Sequence, residues 1–264
     1  MRSFVKKLLG GNEPDPDPIT PAIPEGRRLY CIGDIHGRLD LLEGLHGMIE
    51  DDTRDYAGDK ILLYLGDYID RGEQSKEVID YLLQSPLSGF ETVHLLGNHE
   101  QTLLDFLEHP RAAASWLTYG GRACLASYGV DVTMEYKHNK ISEIRDILKV
   151  KLPNNHLEFF QSCKLIHTEG SYCFVHAGIR PQVPLGEQRN EDLLWIRDDF
   201  TNSQEIHDHI VVHGHSISEQ VEFLPNRIGI DTGAFHTGVL TALVLEGKDQ
   251  RLLQTGVGAS LARD

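Results

Sequence analysis

The sequence predicts an α/β domain that contains two sheets, and two patterns support this prediction. Between residues 28 and 96, short apolar segments alternate with amphipathic segments in two strand–helix–strand units, which is typical of parallel strands. From residue 164 onwards, short apolar strands follow one another through tight connections, and Glu169-Gly170 and Gly247-Lys248-Asp249 are hairpin signals. Parallel units followed by antiparallel strands indicate a second sheet.

The first half of the chain contains the predicted parallel units. Leu42, Leu45 and Ile49 recur at helical spacing, and Ser75 is placed as the N-cap of a second helix. In order, the pattern predicts a strand over 28–33, a helix over 39–51, a strand over 61–66, a helix from Ser75 to 84, a strand over 91–96 and a helix from Asn98 to Pro110.

The second half contains two long connecting regions and the remaining strands. Residues 111–162 predict mainly helices with a break at Gly120-Gly121, and such an insertion is a natural place for a cap that shapes the substrate site. Residues 179–208 are interrupted by Pro and Gly, which predicts a long functional loop with a short segment around Trp195. Strands are predicted over 164–167, 171–175, 209–213, 220–224, 227–231, 238–245 and 250–255.

Composition restricts the class of protein. The chain of 264 residues suffices for one sizeable domain, and its formal charge of −15 argues against a surface that coats nucleic acid. It contains no long apolar run, so we expect no membrane insertion. Its four cysteines form no C-x-x-C pair, which favours a reducing compartment. We therefore expect a cytoplasmic protein that binds no nucleic acid, and we favour a monomer although composition does not fix the oligomeric state.

The two ends of the chain differ in composition from its centre. The proline-rich acidic segment Asn12-Glu13-Pro14-Asp15-Pro16-Asp17-Pro18 is unsuited to a packed element, so residues 1–26 predict a flexible N-terminal tail. Residues 27–264 then form a single domain that carries the helical insertion at about 111–162.

Five segments repeat one arrangement, in which an apolar run is followed by small residues and by Asp, Asn or His. Ligands collect beyond the carboxyl ends of strands in α/β sheets, so polar side chains at these ends face a cleft. Five strand ends that each deliver oxygen or imidazole groups indicate a single metal site. The segments are Gly33-Asp34-Ile35-His36-Gly37, Gly66-Asp67-Tyr68-Ile69-Asp70-Arg71-Gly72, Gly97-Asn98-His99-Glu100, His176-Ala177-Gly178 and Gly214-His215-Ser216.

In this order the segments resemble the calcineurin-like metallophosphoesterases and, more narrowly, the phosphoprotein phosphatase family of serine/threonine phosphatases. The segment from Trp116 to Gly121, together with Ser127-Tyr128-Gly129, is similar to the bacterial branch of that family. The matching motifs span residues 29–233. The resemblance implies a metallophosphatase-type β-sandwich of two mixed sheets flanked by helices, in four α/β/β/α layers.

The resemblance also implies two divalent cations and a set of ligands for them. A hydroxide that bridges the metals would attack phosphorus directly. Oxygen and imidazole ligands suit Mn²⁺, Fe or Zn²⁺, and the bacterial members favour Mn²⁺. By the family pattern, Asp34 and His36 hold the first metal, Asp67 bridges, and Asn98, His176 and His215 hold the second.

The remaining roles concern the phosphate and the leaving group. Arg71 and Arg197 match the family's phosphate-binding arginines, and Asn98 also contacts the phosphate. His99 is placed as the general acid, and Asp70 orients its imidazole. Alternatives remain open: His99 could be a ligand while Asp70 pairs with Arg71, and Arg197 could be a solvated loop residue. We interpret His213 as packing or a support for the ligands.

The function implied is hydrolysis of phosphoserine and phosphothreonine monoesters in proteins, with phosphotyrosine as a further substrate. The alternative is a symmetrical diadenosine tetraphosphate hydrolase or a broad hydrolase of small phosphoesters. The symmetrical hydrolases share three motifs, but their third one usually ends in Asp where this chain has Glu100. Nucleases and cyclic-nucleotide phosphodiesterases of the superfamily carry a further His where this chain has Ile217. A non-catalytic binding module would have lost ligands, and this chain retains them all.

Overall fold

Two mixed sheets form the centre of the fold, as the resemblance implies, within residues 21–84, 87–132 and 140–256, which the computed structural model describes. The first sheet has the order β10–β9–β1–β2–β3. Strands β1 to β3 are parallel, while β9 is antiparallel to both β1 and β10. Its strands are β1 (Arg27–Ile32), β2 (Asp59–Tyr64), β3 (Phe90–His94), β9 (Thr241–Glu246) and β10 (Asp249–Gln254).

The second sheet has the order β4–β5–β6–β8–β7. Its middle strands β5, β6 and β8 are parallel, and an antiparallel strand closes each edge. The strands are β4 (Ile166–Glu169), β5 (Tyr172–Val175), β6 (Ile210–His213), β7 (Glu222–Phe223) and β8 (Arg227–Gly229).

Helices cover the outer faces of both sheets. The first sheet is covered by helices from the two strand–helix–strand units and from the insertion, and the second by short helices after residue 179. Short 3-10 turns occupy Ala114–Thr118 and Leu185–Glu187. The α-helices are α1 (Leu39–Thr53), α2 (Ser75–Leu83), α3 (Asn98–Glu108), α4 (Gly121–Ser127), α5 (Ile141–Lys151), α6 (Asn154–Ser162), α7 (Asn190–Trp195), α8 (Asp198–Thr201) and α9 (Ala234–Thr237).

The alternation of side chains along β1 produces the layers. Leu29 and Cys31 pack into the core between the two sheets, whereas Tyr30 and Ile32 pack against the helices of the other face. All four side chains are fully buried. The part of the strand that is buried on both sides, from Leu29 to Ile32, therefore carries no charged residue, and the next charged group along the chain is Asp34, beyond its carboxyl end.

Three predicted details differ from the structure. Ser75 is the first residue of α2 and Gln74 is its cap; the Ser75 hydroxyl accepts the Asp70 backbone N–H at 2.9 Å instead. The predicted loop over 179–208 contains α7 and α8. The strands predicted over 220–224 and 227–231 shorten to β7 and β8.

The predicted tail lies mostly outside the described residues. Ala22 and Ile23 fall within it, yet they pack on the fold: the Ser171 N–H donates to the Ala22 carbonyl and the Ile23 N–H to the Gly247 carbonyl, both at 2.9 Å. Ile23 is buried between the sheets. None of the helices within the described residues is long and apolar enough to span a membrane.

Candidate active site

Five of the predicted site residues share an unusual backbone conformation. Among the described residues, six other than glycine have a positive φ, and five of them are His36, Asp67, Asp70, Arg71 and His215. A non-glycine residue in this region costs about 1–3 kcal/mol and persists only where its surroundings enforce it. The chain therefore accepts strain at the strand ends that carry the predicted site.

Close backbone approach explains why glycine precedes the polar residues. A Cβ atom at Gly97 would lie 2.2 Å from Asp67 Oδ1, and one at Gly214 would lie 2.1 Å from Asp34 Oδ1. Any larger residue at either position would push a carboxylate out of place. The repeated glycines thus allow separate strand ends to converge on one point.

Asp67 lies at the centre of this convergence and is fully buried. Its Oδ2 lies 3.4 Å from His36 Nε2 and 3.9 Å from His99 Nε2, while its Oδ1 lies 3.5 Å from His176 Nε2. Two groups of possible metal ligands share Asp67, one with His36 and His99 and the other with His176 and His215. Asp67 is thus the residue common to both groups.

Asn98 and Asp34 extend the two groups. Asn98 Oδ1 lies 2.8 Å from His176 Nε2 and 2.9 Å from His215 Nδ1. Asp34 Oδ2 accepts the His215 backbone N–H at 3.0 Å, and its Oδ1 is buried without a partner. The structure therefore brings all six predicted ligands to one buried place.

The histidine tautomers allow a test of whether this place suits a cation. The backbone carbonyls of Ile69 and Leu65 can only accept, so His36 and His176 each donate from Nδ1 to one of them. Each Nε2 then carries a lone pair: that of His36 faces an Asp67 oxygen, and that of His176 faces Asn98 Oδ1 as well as an Asp67 oxygen. The Nε2 lone pairs and the facing oxygen lone pairs repel each other, and a cation between them removes this repulsion. A backbone carbonyl that accepts the other ring N–H of a ligating imidazole is typical of metal sites.

The protonation states of three predicted ligands, His36, His215 and Asp67, agree with metal binding. Burial lowers the pKa of His36 to about 3 and that of His215 to about 2, so both imidazoles are neutral at pH 7. Burial opposes ionisation of Asp67, but the surrounding imidazoles hold its pKa below the ordinary range. Neutral imidazole and ionised carboxylate are the forms that bind metal, so the residues present fit divalent cations.

A second cluster adjoins the first and contains the residues predicted for proton transfer. Asp70 Oδ2 lies 2.6 Å from His99 Nδ1, and the Arg71 guanidinium nitrogen NH2 lies 3.2 Å from His99 Nε2. Burial lowers the pKa of His99, but the Asp67 and Asp70 carboxylates outweigh it and raise the value to about 9. Asp70 thus pairs with His99, and Arg71 instead lies over the Phe235 ring at 4.7 Å.

Arg197 lies at the edge of the site and is exposed. It lines a cavity of about 440 Å³ together with Trp195, Arg180 and Arg189. After burial, which is the main cause, the positive charge of Arg197 contributes to the lowered pKa of His176 and His215. Its guanidinium is therefore close enough for its field to act on the buried cluster.

Sequence reasoning missed several functional contacts. Glu100 is fully buried, and its carboxylate accepts the backbone N–H groups of Asp67, Tyr68, Ile69 and Gly97 at 2.8–3.2 Å. One of these contacts could have been predicted from local sequence, since a Glu three residues after a helix cap often accepts the backbone N–H of the cap, as Glu100 does from Gly97.

Two further residues near the ligands are absent from the sequence prediction. Asp231 is buried; after burial, its charge is the main cause of the raised pKa of Asp34. The Phe235 ring lies edge-on to His36 at 5.6 Å. His213 packs edge-on to Phe200 and lies outside both ligand groups, as interpreted from the sequence.

A family model for calcineurin-like phosphoesterases matches residues 27–236. This chain therefore belongs to the calcineurin-like phosphoesterase family, whose members are metal-dependent hydrolases. Its similarities within that family support the phosphoprotein phosphatase resemblance. The chain is 28% identical to serine/threonine-protein phosphatase 2 of Salmonella typhimurium, over 81% of this chain and 91% of that protein.

Other relatives carry a different name. The chain is 26% identical to the asymmetrical bis(5'-nucleosyl)-tetraphosphatase PrpE of Anoxybacillus flavithermus, over 80% of this chain and 88% of that protein. Among solved structures, the cold-active protein tyrosine phosphatase of a Shewanella species shares the fold, with a TM-score of 0.53 and 17% identity over 88% of this chain and 83% of that one. The comparisons thus agree on a metal-dependent phosphoesterase and leave its substrate open.

Proposed function

We propose that this chain hydrolyses phosphoserine and phosphothreonine monoesters in proteins. The observation that carries the proposal is the His99–Asp70 pair at 2.6 Å. A serine or threonine alkoxide is about as basic as hydroxide, whose parent water has a pKa of about 15.7. Such a leaving group needs a proton as its bond to phosphorus breaks. A dinucleoside tetraphosphate releases a phosphate group with a pKa of about 6, which needs none.

The metal ligands in this proposal are the converged side chains. Asp34, His36 and Asp67 would hold one divalent cation, and Asp67, Asn98, His176 and His215 the other. When bound, the two cations, for which we favour Mn²⁺ over Fe or Zn²⁺, supply Lewis acidity and lower the pKa of water.

The chain's own residues bind the phosphate and move the proton. Arg71 and Arg197 donate hydrogen bonds to the phosphoryl oxygens, and the Asn98 amide adds a further contact. The His99 imidazolium donates its Nε2 proton to the leaving oxygen, and Asp70 holds its Nδ1–H. Burial lowers the pKa of His99, but the Asp67 and Asp70 carboxylates raise it to about 9 and favour the protonated form. Because Arg71 faces His99 Nε2 at 3.2 Å, this proposal requires that Arg71 turn to the phosphoryl oxygens when the substrate binds.

A second candidate is hydrolysis of dinucleoside tetraphosphates. Relatives over four fifths of the chain are named for that activity. The half-exposed Trp195 beside the cavity lined by Arg180, Arg189 and Arg197 offers a flat apolar surface and cations for a base and distal phosphates. The acidic residues Glu191, Asp192, Asp198 and Asp199 line the same cavity and oppose a polyphosphate.

The test compares kcat/KM of the Mn²⁺-loaded protein on a phosphothreonine peptide and on diadenosine tetraphosphate, for wild type and His99→Asn. We expect wild type to prefer the peptide. General acid catalysis contributes about 10²–10⁴-fold, so His99→Asn should lose at least about 10²-fold on the peptide and less than about tenfold on the dinucleotide. His109→Asn, outside the site, is the control. Equal losses on both substrates, or a wild-type preference for the dinucleotide, would contradict the proposal.

A further inference from the structure

Asp70 has a second partner besides His99. The indole Nε1–H of Trp116 donates to Asp70 Oδ2 at 2.6 Å, the same oxygen that pairs with His99 Nδ1. Trp116 is 1% exposed and Asp70 is fully buried. Trp116 belongs to the insertion over 111–162, while Asp70 and His99 follow strands of the first sheet. One hydrogen bond thus connects the insertion to the predicted proton donor.

We propose that Trp116 is a positioning residue that fixes the Asp70 carboxylate and, through it, the His99 imidazole in the orientation needed to protonate the leaving group. The inference rests on the proposed function in one respect, namely that His99 is the proton donor. It adds a structural role for the insertion, which supplies this contact from outside the sheet.

The surroundings of Trp116 hold its ring in one orientation. The ring packs on Phe106 of α3, with ring centroids 5.0 Å apart, and α3 is the helix whose first turn carries His99. On the other side is Gly121, where a Cβ atom would lie 2.5 Å from the indole ring. Because indole has a single donor and no acceptor, its buried N–H requires an acceptor, and Asp70 provides it.

The Asp70 carboxylate depends on this contact for its own orientation. Among the described residues its Oδ1 atom is buried without a hydrogen-bond partner, so apart from the weak thiol donor of Cys124, the two hydrogen bonds to Oδ2 fix the rotation of the carboxylate. That torsion has broad minima and is poorly fixed by sterics. Without the indole N–H, the bond to His99 would be the one strong hydrogen bond that the described residues make to the carboxylate oxygens. A ring that turns with its carboxylate no longer aims Nε2 at the leaving oxygen.

The alternative hypothesis is that Trp116 is a core residue that only fills space. Trp116→Phe distinguishes the two hypotheses, because phenylalanine keeps an aromatic ring and lacks the N–H. The matched control is Tyr128→Phe. It likewise removes one buried hydrogen bond of an aromatic side chain in the insertion, the bond from the Tyr128 hydroxyl to His156 Nδ1 at 2.9 Å, and this bond does not involve Asp70. Site-specific 3-benzothienylalanine at position 116 is a second variant, since it keeps the bicyclic shape and replaces N–H by sulfur.

The first readout is the dependence on the leaving group in Mn²⁺-loaded protein. A misplaced catalytic group costs up to about 10²-fold, so we expect Trp116→Phe to lower kcat on a phosphothreonine peptide by about 10–100-fold with KM unchanged. On p-nitrophenyl phosphate, whose leaving phenolate needs no proton, kcat should fall less than about threefold. The benzothienylalanine variant should behave like Trp116→Phe, and Tyr128→Phe like wild type. Equal losses on both substrates, or no loss, would overturn the inference.

The second readout does not depend on any substrate. In ¹⁵N-histidine-labelled protein loaded with diamagnetic Zn²⁺ in place of paramagnetic Mn²⁺, the His99 Nδ1 proton, assigned by its loss in His99→Asn, should shift in Trp116→Phe and stay in place in Tyr128→Phe. Mn²⁺ affinity measured by calorimetry should not change in either variant. If wild type fails to hydrolyse the peptide, the proposed function fails, and the proton signal still decides the role of Trp116. An unmoved signal in Trp116→Phe would overturn it.

Discussion

The centre of the site and its rim differ in how the chain holds their side chains. At the centre, Asp67 and His176 are buried at strand ends, and a hydrogen bond to the backbone holds each side chain in place. At the rim, Trp195 and Arg197 are exposed and come from the segment that follows β5. Metal chemistry requires a fixed geometry, whereas a surface that selects among substrates can vary. Relatives of similar identity carry both phosphatase and tetraphosphatase names, so we expect the rim rather than the centre to decide between substrates.

The sharpest way to break this comparison is to remove the residue common to both ligand groups. Asp67→Asn removes the charge between His36 and His176, and we expect kcat/KM to fall at least about 10³-fold, since bound cations supply several kcal/mol of transition-state stabilisation. Calorimetry should also show loss of tight Mn²⁺ binding. Asp51→Asn, at an exposed position of α1, is the control. Retention of two tightly bound Mn²⁺ per chain by Asp67→Asn would contradict the assigned bridge.

A smaller effect is expected one step behind the ligands, at Glu100. Its Oε1 accepts the N–H groups of Tyr68 and Ile69, and its Oε2 accepts those of Asp67 and Gly97. In Glu100→Gln, either orientation of the amide turns an NH₂ group toward two of these donors. Buried unpaired donors cost about 1–3 kcal/mol of unfolding free energy, and supports of this kind change metal affinity by about 10–100-fold.

Thermal unfolding and Mn²⁺ titration of Glu100→Gln, beside the exposed control Glu73→Gln, check this expectation. The centre would then depend on its supporting contacts as well as on its ligands. If Glu100→Gln bound Mn²⁺ as tightly as the control does, the four hydrogen bonds would serve the fold alone.

Much of the centre could be predicted from sequence for a local reason. The buried ends of β1 and β2 show as apolar runs, and their polar continuation follows directly, so Asp34 and Asp67 are visible within a few residues of the strand end. Asn98 follows the partly exposed edge strand β3 in the same way. The contacts of Trp116 and Glu100 could not be predicted in this way. They join Trp116 to Asp70 across 46 residues and Glu100 to Tyr68 across 32, through the packing of an insertion and a helix.

Propensity also misled in one place, where a tertiary contact uses the side chain differently. Serine at a helix start favours capping, yet the Ser75 hydroxyl accepts the N–H of Asp70. The left-handed conformation of Asp70 leaves that N–H in need of an acceptor. Ser75 thus supports the backbone of the site, although local sequence rules predict that it caps the helix.

The smallest expected effect concerns the rim and compares two arginines. Arg71 is half-buried between His99 and Phe235, whereas Arg197 is exposed. Arg197→Ala should lower kcat/KM on the phosphothreonine peptide by about tenfold, mainly through KM, because an exposed guanidinium binds phosphate in competition with water. Arg71→Ala should lose more, at least about 10²-fold, since its hydrogen bonds act where water is excluded.

Salt separates the two arginines further. Screening acts over about 10 Å at 0.1 M and about 3 Å at 1 M, so the loss caused by Arg197→Ala should shrink as salt rises while that of Arg71→Ala persists. Arg189→Ala is the matched control, because Arg189 lines the same cavity and, within the part of the chain that the structure describes, forms an ion pair only with exposed Glu191, at 3.2 Å. Equal losses for Arg189→Ala and Arg197→Ala would mean that the rim acts by general charge. Equal losses for Arg197→Ala and Arg71→Ala would mean that Arg197 belongs functionally to the centre of the site and not to its rim.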